Sequence, residues 1–175
     1  IAYYAHKGSM SCVVTAKGKA AHSSMPHLGT NAVDILVDFV NEMKQEYKNI
    51  KEHDKVHELD AVPMIEKHLH RKIGEEESHI YSGFVMLNSV FNGGKQVNSV
   101  PHKATAKYNV RTVPEYDSTF VKDLFEKVIR HVGEDYLTVD IPSSHDPVAS
   151  DRDNPLIQNI TRIAPNYVHE DIVVS

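Results

Sequence analysis

The chain has 175 residues, enough for one domain with a sizeable core, and its 24 acidic and 19 basic side chains give a formal charge of -5. This balance, without a basic stripe, argues against nucleic acid as a partner. No apolar run approaches the roughly 20 residues that cross a bilayer, and the first residues lack the pattern of a secretory signal, so we expect a soluble, cytoplasmic protein with no membrane partner.

The cysteine content excludes two kinds of structural site. Cys12 is the only cysteine, which excludes an internal disulfide and a zinc cluster built on thiolates. It alternates with Val14 and Ala16 in a strand-like pattern, so we expect a buried core thiol rather than a nucleophile.

The first part of the chain predicts a strand, a loop and a helix. Residues 11–17 alternate apolar and polar side chains, the period of a half-buried strand. Residues 18–31 form a loop of mostly small residues flanked by glycine, and this loop carries His22. Asn31 is suited to cap a helix, and the apolar repeat that follows predicts an amphipathic helix to about Lys48. A loop held at both ends in this way can aim an imidazole.

Residues 49–80 are rich in charge and histidine and predict a helical insertion. His53 and His57 are four residues apart, and His68 and His70 flank a leucine. Such spacing could contribute to a metal site, but zinc needs three or four ligands and an oriented second shell. We therefore favour a surface helix whose apolar residues pack down.

The later elements show the same strand-like alternation and helical apolar repeat as the first part of the chain. They are a strand at residues 82–91, a strand at 103–113, a helix that Ser118 caps and Gly133 ends, and a strand at 136–141. Arg111 would emerge on the polar face of its strand, near the strand's end. The segment 142–147 then reads as a linker, and Asn154 would cap a short helix that begins at Pro155.

The order strand, helix, strand, strand, helix, strand predicts an α+β fold. We expect a ferredoxin-like βαββαβ antiparallel sheet with the helices on one face and a helical insertion after the first helix. In that arrangement the second strand lies outside the third, so residues 82–91 should form an edge. Residues 1–142 would make this domain, and 143–175 a linker and the first elements of another. The start at Ile1, within an apolar run, suggests a chain cut from a larger protein.

Two blocks of sequence resemble one family. Residues 18–32 read Gly-x-x-x-His-Ser-x-x-Pro-x-x-Gly-x-Asn-Ala, and residues 93–115 contain Gly-Gly-x-x-x-Asn-x-Val-Pro and then a strand ending in Arg-x-x-Pro. Both are similar to the dimerisation, or lid, domain of the co-catalytic metallopeptidase and deacylase superfamily. Within it the desuccinylases are the most similar group, while deacetylases and dipeptidases share the same blocks.

The resemblance implies a reaction and an assembly. The reaction is hydrolysis of an amide by a water between two divalent metal ions, zinc, cobalt or manganese. The ligand motifs are absent from this sequence and would belong to a flanking catalytic domain, so we expect no metal bound by this chain and no activity of the chain alone. The resemblance implies a homodimer that acts on a small amide substrate carrying a carboxylate. Because the edge strand at residues 82–91 has no charge or proline to protect it, we expect the dimer to form through this strand and the first helix.

The resemblance also implies roles for individual residues. His22 matches a catalytic histidine that donates an N–H to the developing oxyanion in the neighbouring subunit. Asn98 matches a residue that hydrogen-bonds the substrate, and Arg111 matches one that takes a substrate carboxylate. Lys7 is a further candidate for the substrate pocket. Judged on the residues alone, His22 could be a solvated loop histidine, Arg111 a surface ion-pair partner and Lys7 a solvated lysine. For the chain, the alternative is a stand-alone ferredoxin-like interaction module.

Overall fold

The fold is built from six strands and five helices within the described residues. The structure, a computed structural model, describes residues 3–53 and 62–168, and for Pro63, Met64 and His79 it describes the backbone only. In chain order the elements are β1 (Ala5–His6), β2 (Gly8–Lys17), α1 (Ala32–His53), α2 (Val62–Leu69), α3 (Glu75–Ser82), β3 (Val85–Gly93), β4 (Lys103–Thr112), α4 (Ser118–Val132), β5 (Leu137–His145), β6 (Val148–Ala149) and α5 (Pro155–Ile163), with short 3-10 turns at Pro26–Leu28 and Ala164–Asn166.

The main sheet is antiparallel and has the order β3-β4-β2-β5. The α+β fold and its βαββαβ order are confirmed, and β3 lies at an edge as the ferredoxin-like arrangement predicts. β1 and β6 form a separate two-stranded ribbon, in which Ala5 pairs with Ala149 and His6 with Val148. This ribbon joins the stretch that enters the domain to the stretch that leaves it.

The core lies between the sheet and the helices α1 and α4. Alternate side chains of β2 and β4 face these helices, and Phe39 and Phe125 are fully buried there. Tyr108 of β4 contacts both rings edge-on, at centroid distances of 6.3 Å to Phe39 and 5.3 Å to Phe125. Cys12, opposite Tyr108 in the register, is completely buried, as its alternation predicts.

Two predicted helix caps are confirmed, and one is wrong. Asn31 accepts from the Val33 N–H at 3.0 Å, and Asn154 accepts from the Leu156 and Ile157 N–H groups at 3.0 and 3.1 Å. At α4, however, Asp117 caps the helix in place of Ser118. Its carboxylate accepts from the N–H groups of the second and third helical residues at 3.0 and 2.9 Å. Ser118 is already the first helical residue and so cannot take that role.

Some predicted boundaries of strands and loops also differ. The segment predicted as a linker from Pro142 belongs in part to β5, which continues to His145 and pairs with β2. Proline is tolerated there because β5 is an edge strand and its register shifts at this point. The strand predicted over residues 82–91 begins at Val85, because α3 occupies the chain up to Ser82.

The insertion is helical where it is described, in α2 and α3. The proposed metal-binding pair of His53 and His57 is not tested, because His57 lies outside the described residues. His53 Nδ1 lies 2.8 Å from the Asn49 carbonyl oxygen. His70 ends α2 with a φ of 53°, a left-handed conformation that usually belongs to glycine. Across residues 3–53 and 62–168, no helix is both long and apolar enough to cross a membrane.

The hydroxyl of Tyr108 gives a test of the core. It is buried and has no hydrogen-bond partner within the described part of the chain, and burial raises its pKa. A buried, unpaired hydroxyl costs stability, so we expect Tyr108→Phe to leave the free energy of unfolding unchanged or to raise it by up to about 1 kcal/mol. Urea denaturation measures this, with Tyr136→Phe as the exposed control. A loss above about 1 kcal/mol would show that the hydroxyl has a partner.

The buried thiol of Cys12 should make the free energy of unfolding depend on pH in the alkaline range. Burial raises the pKa of its thiol from 9.0 to about 11. Above pH 9 the unfolded chain therefore loses this proton while the folded chain keeps it, and stability falls as the pH rises from 9 to 11. The loss should approach about 3 kcal/mol. Urea denaturation at several pH values measures the free energy of unfolding. Between pH 9 and 11 this free energy should fall less steeply with pH for Cys12→Ala than for wild type. An equal fall in both proteins would exclude the thiol as the cause.

Candidate functional site

The loop that carries His22 is hydrogen-bonded to the loop that carries Asn98. The Ser23 N–H donates to the Asn98 carbonyl at 3.0 Å, and the Val100 N–H donates to the Ala21 carbonyl at 2.8 Å. Both the His22 ring and the Asn98 side chain are exposed. The fold thus brings two of the three predicted site residues into neighbouring, mutually supported loops.

The hydrogen bonds of His22 fix which ring nitrogen carries the proton. The backbone N–H of Ser24 donates to Nδ1 at 3.2 Å, and the Ser24 hydroxyl oxygen lies 2.7 Å from the same nitrogen. A backbone N–H can only donate, so Nδ1 is the acceptor and the neutral ring carries its proton on Nε2. Ser24 was not among the predicted site residues, although the His-Ser-Ser sequence contains the local signal for this turn.

Two glycines allow the His22 loop to close on itself. Lys19 and Thr30 exchange both backbone hydrogen bonds at 2.9 Å, which joins the two ends of the loop. A Cβ atom at Gly18 would overlap the Thr30 carbonyl oxygen, and one at Gly29 would lie 2.7 Å from the Lys19 carbonyl oxygen. Neither position has room for a side chain. The ring is therefore presented by a loop closed at its base.

This closure can be tested by substitution. Gly18→Ala should lower the free energy of unfolding by about 1–3 kcal/mol, because the methyl group meets backbone atoms that have little room to move. Gly74→Ala is the control, since nothing lies within 4 Å of a Cβ there and the expected cost at this helix start is below about 1 kcal/mol. Urea denaturation compares the two variants. An equal effect of both would show that the loop adjusts.

Arg111 lies at the other end of the sheet. It pairs with Ser9 and Val85, whereas Lys103, at the end of β4 nearer the two loops, pairs with Lys17. Arg111 is eight positions further along the strand than Lys103, which corresponds to about 26 Å. Its side chain is exposed on the face of the sheet away from the core. One chain therefore does not bring Arg111 together with His22 and Asn98.

The Lys7 side chain contacts the end of α3, which a solvated lysine would not do. Its ammonium group donates to the carbonyl oxygens of Ile80 and Gly83, at 2.8 and 2.5 Å, where α3 ends. A cation at a helix C-terminus satisfies carbonyls that have no partner within the helix. The sequence could not indicate this contact, because the partners are 73 and 76 residues away.

The described residues do not fit a metal pair. Among them, no three or more His, Cys, Asp or Glu side chains lie together in a way that could hold a metal ion. Within the part of the chain that the structure describes, the three predicted site residues carry groups that could form hydrogen bonds, in His22 and Asn98, and a positive charge, in Arg111.

Comparison with known proteins is consistent with this geometry. Residues 4–137 match the family described as "Peptidase dimerisation domain". The whole chain is 99% identical to 43% of a protein of Staphylococcus epidermidis named "Probable succinyl-diaminopimelate desuccinylase". A protein of Staphylococcus aureus strain Mu50 with the same name is 49% identical over 97% of this chain and 42% of its own length. The chain thus spans less than half the length of these curated relatives.

Solved structures show the same fold at low sequence identity. The M20 family metallo-carboxypeptidase Sso-CP2 of Sulfolobus solfataricus matches with a TM-score of 0.69 and 18% identity, over 98% of this chain and 45% of the other. The aminopeptidase PepT of Bacillus cereus matches with a TM-score of 0.67 and 14% identity, over 98% of this chain and 38% of the other.

Proposed function

Because the chain belongs to the peptidase dimerisation domain family, we propose that it is the lid of a metal-dependent amide hydrolase, and that the whole protein is a succinyl-diaminopimelate desuccinylase. The observation that carries the role of the lid is the fixed His22 ring, with Nδ1 held by Ser24 and the proton on Nε2. When water attacks an amide, negative charge develops on the carbonyl oxygen. An N–H donor positioned for that oxygen lowers the barrier.

The other two site residues would hold the substrate. Asn98, on the loop bonded to the His22 loop, has a side-chain amide that can hydrogen-bond the substrate beside the reacting group. Arg111 has a planar guanidinium that can take a carboxylate through two parallel hydrogen bonds. The two metal ions would be bound by the catalytic domain and not by this chain. Their identity and the cytoplasmic location stay predictions.

The distance between Arg111 and the two loops supports a site shared between subunits. About 26 Å of strand separates them within one chain, too far for one small substrate to contact both. In a homodimer, His22 and Asn98 of one subunit could meet a substrate whose carboxylate is held by Arg111 of the other. Such an arrangement would agree with the predicted delivery of His22 to the neighbouring subunit's active site.

The surface around β3 supports a homodimer formed there. β3 is an edge strand without charge or proline, the features that usually protect a free edge. α1 runs beside it, since a Cβ at Gly93 would meet Val33 and the rings of Tyr47 and Phe84 are 6.0 Å apart. Val37 of α1 and Phe91 of β3 are both 41% exposed. We propose that β3 and α1 pair with their own copies about a two-fold axis.

The test is turnover by the full-length protein on three substrates: succinylated diaminopimelate, acetylornithine and a dipeptide. We expect metal-dependent hydrolysis of the succinylated substrate above the others, and none by the 175-residue chain alone. Preference for acetylornithine or the dipeptide would favour the deacetylase or dipeptidase alternative. Hydrolysis by the chain alone, in proportion to added metal, would contradict its role as a lid. A stand-alone interaction module is set aside because it does not account for the family match.

A further inference from the structure

The turn between β3 and β4 encloses a groove that none of the predicted roles uses. Its volume is about 500 Å³, and it is lined by residues 92–96 and 99–105. Sites for small molecules in proteins commonly have volumes of about 300–1,000 Å³. The lining includes two lysines and a histidine, Lys95, Lys103 and His102, and no acidic residue. The groove therefore favours an anion.

The backbone around the groove is fixed by neighbouring elements. The Gly18 N–H donates to the His102 carbonyl at 2.8 Å, and the Ala32 N–H donates to the Pro101 carbonyl at 2.9 Å. Gly94 turns the chain with a φ of +69°, a conformation that favours glycine. Because the wall is tied to the start of α1 and the end of β2, a ligand would meet a largely formed site.

The distribution of charge in the sequence also favours anion binding in the groove. All 24 acidic residues lie within 34–77 and 115–175, and none lies within 1–33 or 78–114. The two acid-free segments contain β2, β3, β4 and both site loops, although the chain as a whole is negative. Lys17 lies opposite Lys103 in the register and adds a further cation near the groove. Within the described residues, no ion pair joins Lys95 or Lys103 to a carboxylate.

We propose that this groove binds the carboxylate of the substrate's acyl group. Ser99 lines the groove, follows Asn98 in the chain and pairs with His22 in an isolated β-bridge, so the groove adjoins the two loops that carry the proposed site residues. The carboxylate in the groove is a different one from that given to Arg111, which lies at the far end of β4. The inference rests on the proposed function and deepens it, because it names the residues that would distinguish a succinyl amide from an acetyl amide.

The kinetic test uses the full-length protein and two amides of the same amino acid, one succinylated and one acetylated. The variant Lys95→Gln with Lys103→Gln removes two cations from the groove. We expect its KM for the succinylated amide to rise about ten-fold, with kcat and the KM for the acetylated amide within about two-fold of wild type. The matched control is Lys107→Gln with Lys122→Gln, two exposed lysines outside the groove. Equal behaviour of the two double variants would overturn the proposal.

A binding measurement separates this proposal from the activity itself. Titration of the full-length wild-type protein with free succinate, followed by calorimetry, should show binding that the groove variant loses and the control keeps. If wild type hydrolyses neither amide but shows this pattern, the proposed function fails and the anion site stands. If succinate binds equally to all three proteins, or to none, the groove is not a carboxylate site.

Discussion

Replacing His22 by alanine in the full-length protein is expected to lower kcat about 100- to 1,000-fold while KM changes little. In the proposed role, the Nε2–H donor would matter most once negative charge has developed on the carbonyl oxygen, so its loss would affect the transition state more than substrate binding. Steady-state kinetics on the succinylated substrate measure both constants. His27→Ala is a matched control, because it removes an exposed imidazole from the same loop.

A mixed dimer tests in which subunit His22 acts. One subunit carries His22→Ala, and the other is inactivated only in its catalytic domain. If His22 serves the neighbouring active site, the mixed dimer has one site with an intact catalytic domain and an intact His22, and activity returns. If mixed dimers form, as mass spectrometry can show, but activity stays low, His22 acts within its own subunit or has no role.

Replacing Arg111 should affect recognition more than the chemical step. We expect Arg111→Ala to raise KM about 10- to 100-fold, because a substrate carboxylate would lose a two-pronged, charged partner. Arg111→Lys should recover only part of this loss, since an ammonium cannot reproduce the planar donor pair. Arg130→Ala removes an exposed guanidinium from α4 and should leave KM unchanged. Equal KM values for wild type and Arg111→Ala would show that Arg111 does not bind the substrate.

The parts of the fold that sequence predicted well depend on local periodicity. The alternation through Cys12 and Val14 placed β2, and the apolar repeat after Asn31 placed α1, because burial on one face leaves a regular pattern. The sequence predicts that the last strand ends at Ile141 and that a linker begins at Pro142, whereas β5 continues to His145. Only the pairing with β2 shows that this edge position tolerates the proline.

For the candidate site, too, the sequence indicates the local features but not those that depend on distant segments. His22, Asn98 and Arg111 were identified by a family motif, and the Ser24 turn that fixes the His22 tautomer is local enough to be found in sequence. Three features could not be found there. The contact of Lys7 with α3 and the separation of Arg111 from the two loops both depend on pairing between distant segments, and the groove depends on how a turn folds in space.

The ribbon formed by β1 and β6 bears on how such a domain can be inserted into another domain during evolution. Ala5 pairs with Ala149, and the Ser150 N–H donates to the Tyr4 carbonyl at 2.9 Å, so the chain leaves the domain beside the point where it entered. A host domain needs to open only one surface loop to accept a guest with neighbouring ends. The guest can then diversify its own loops, or be exchanged between hosts, with little disturbance to the host's folding.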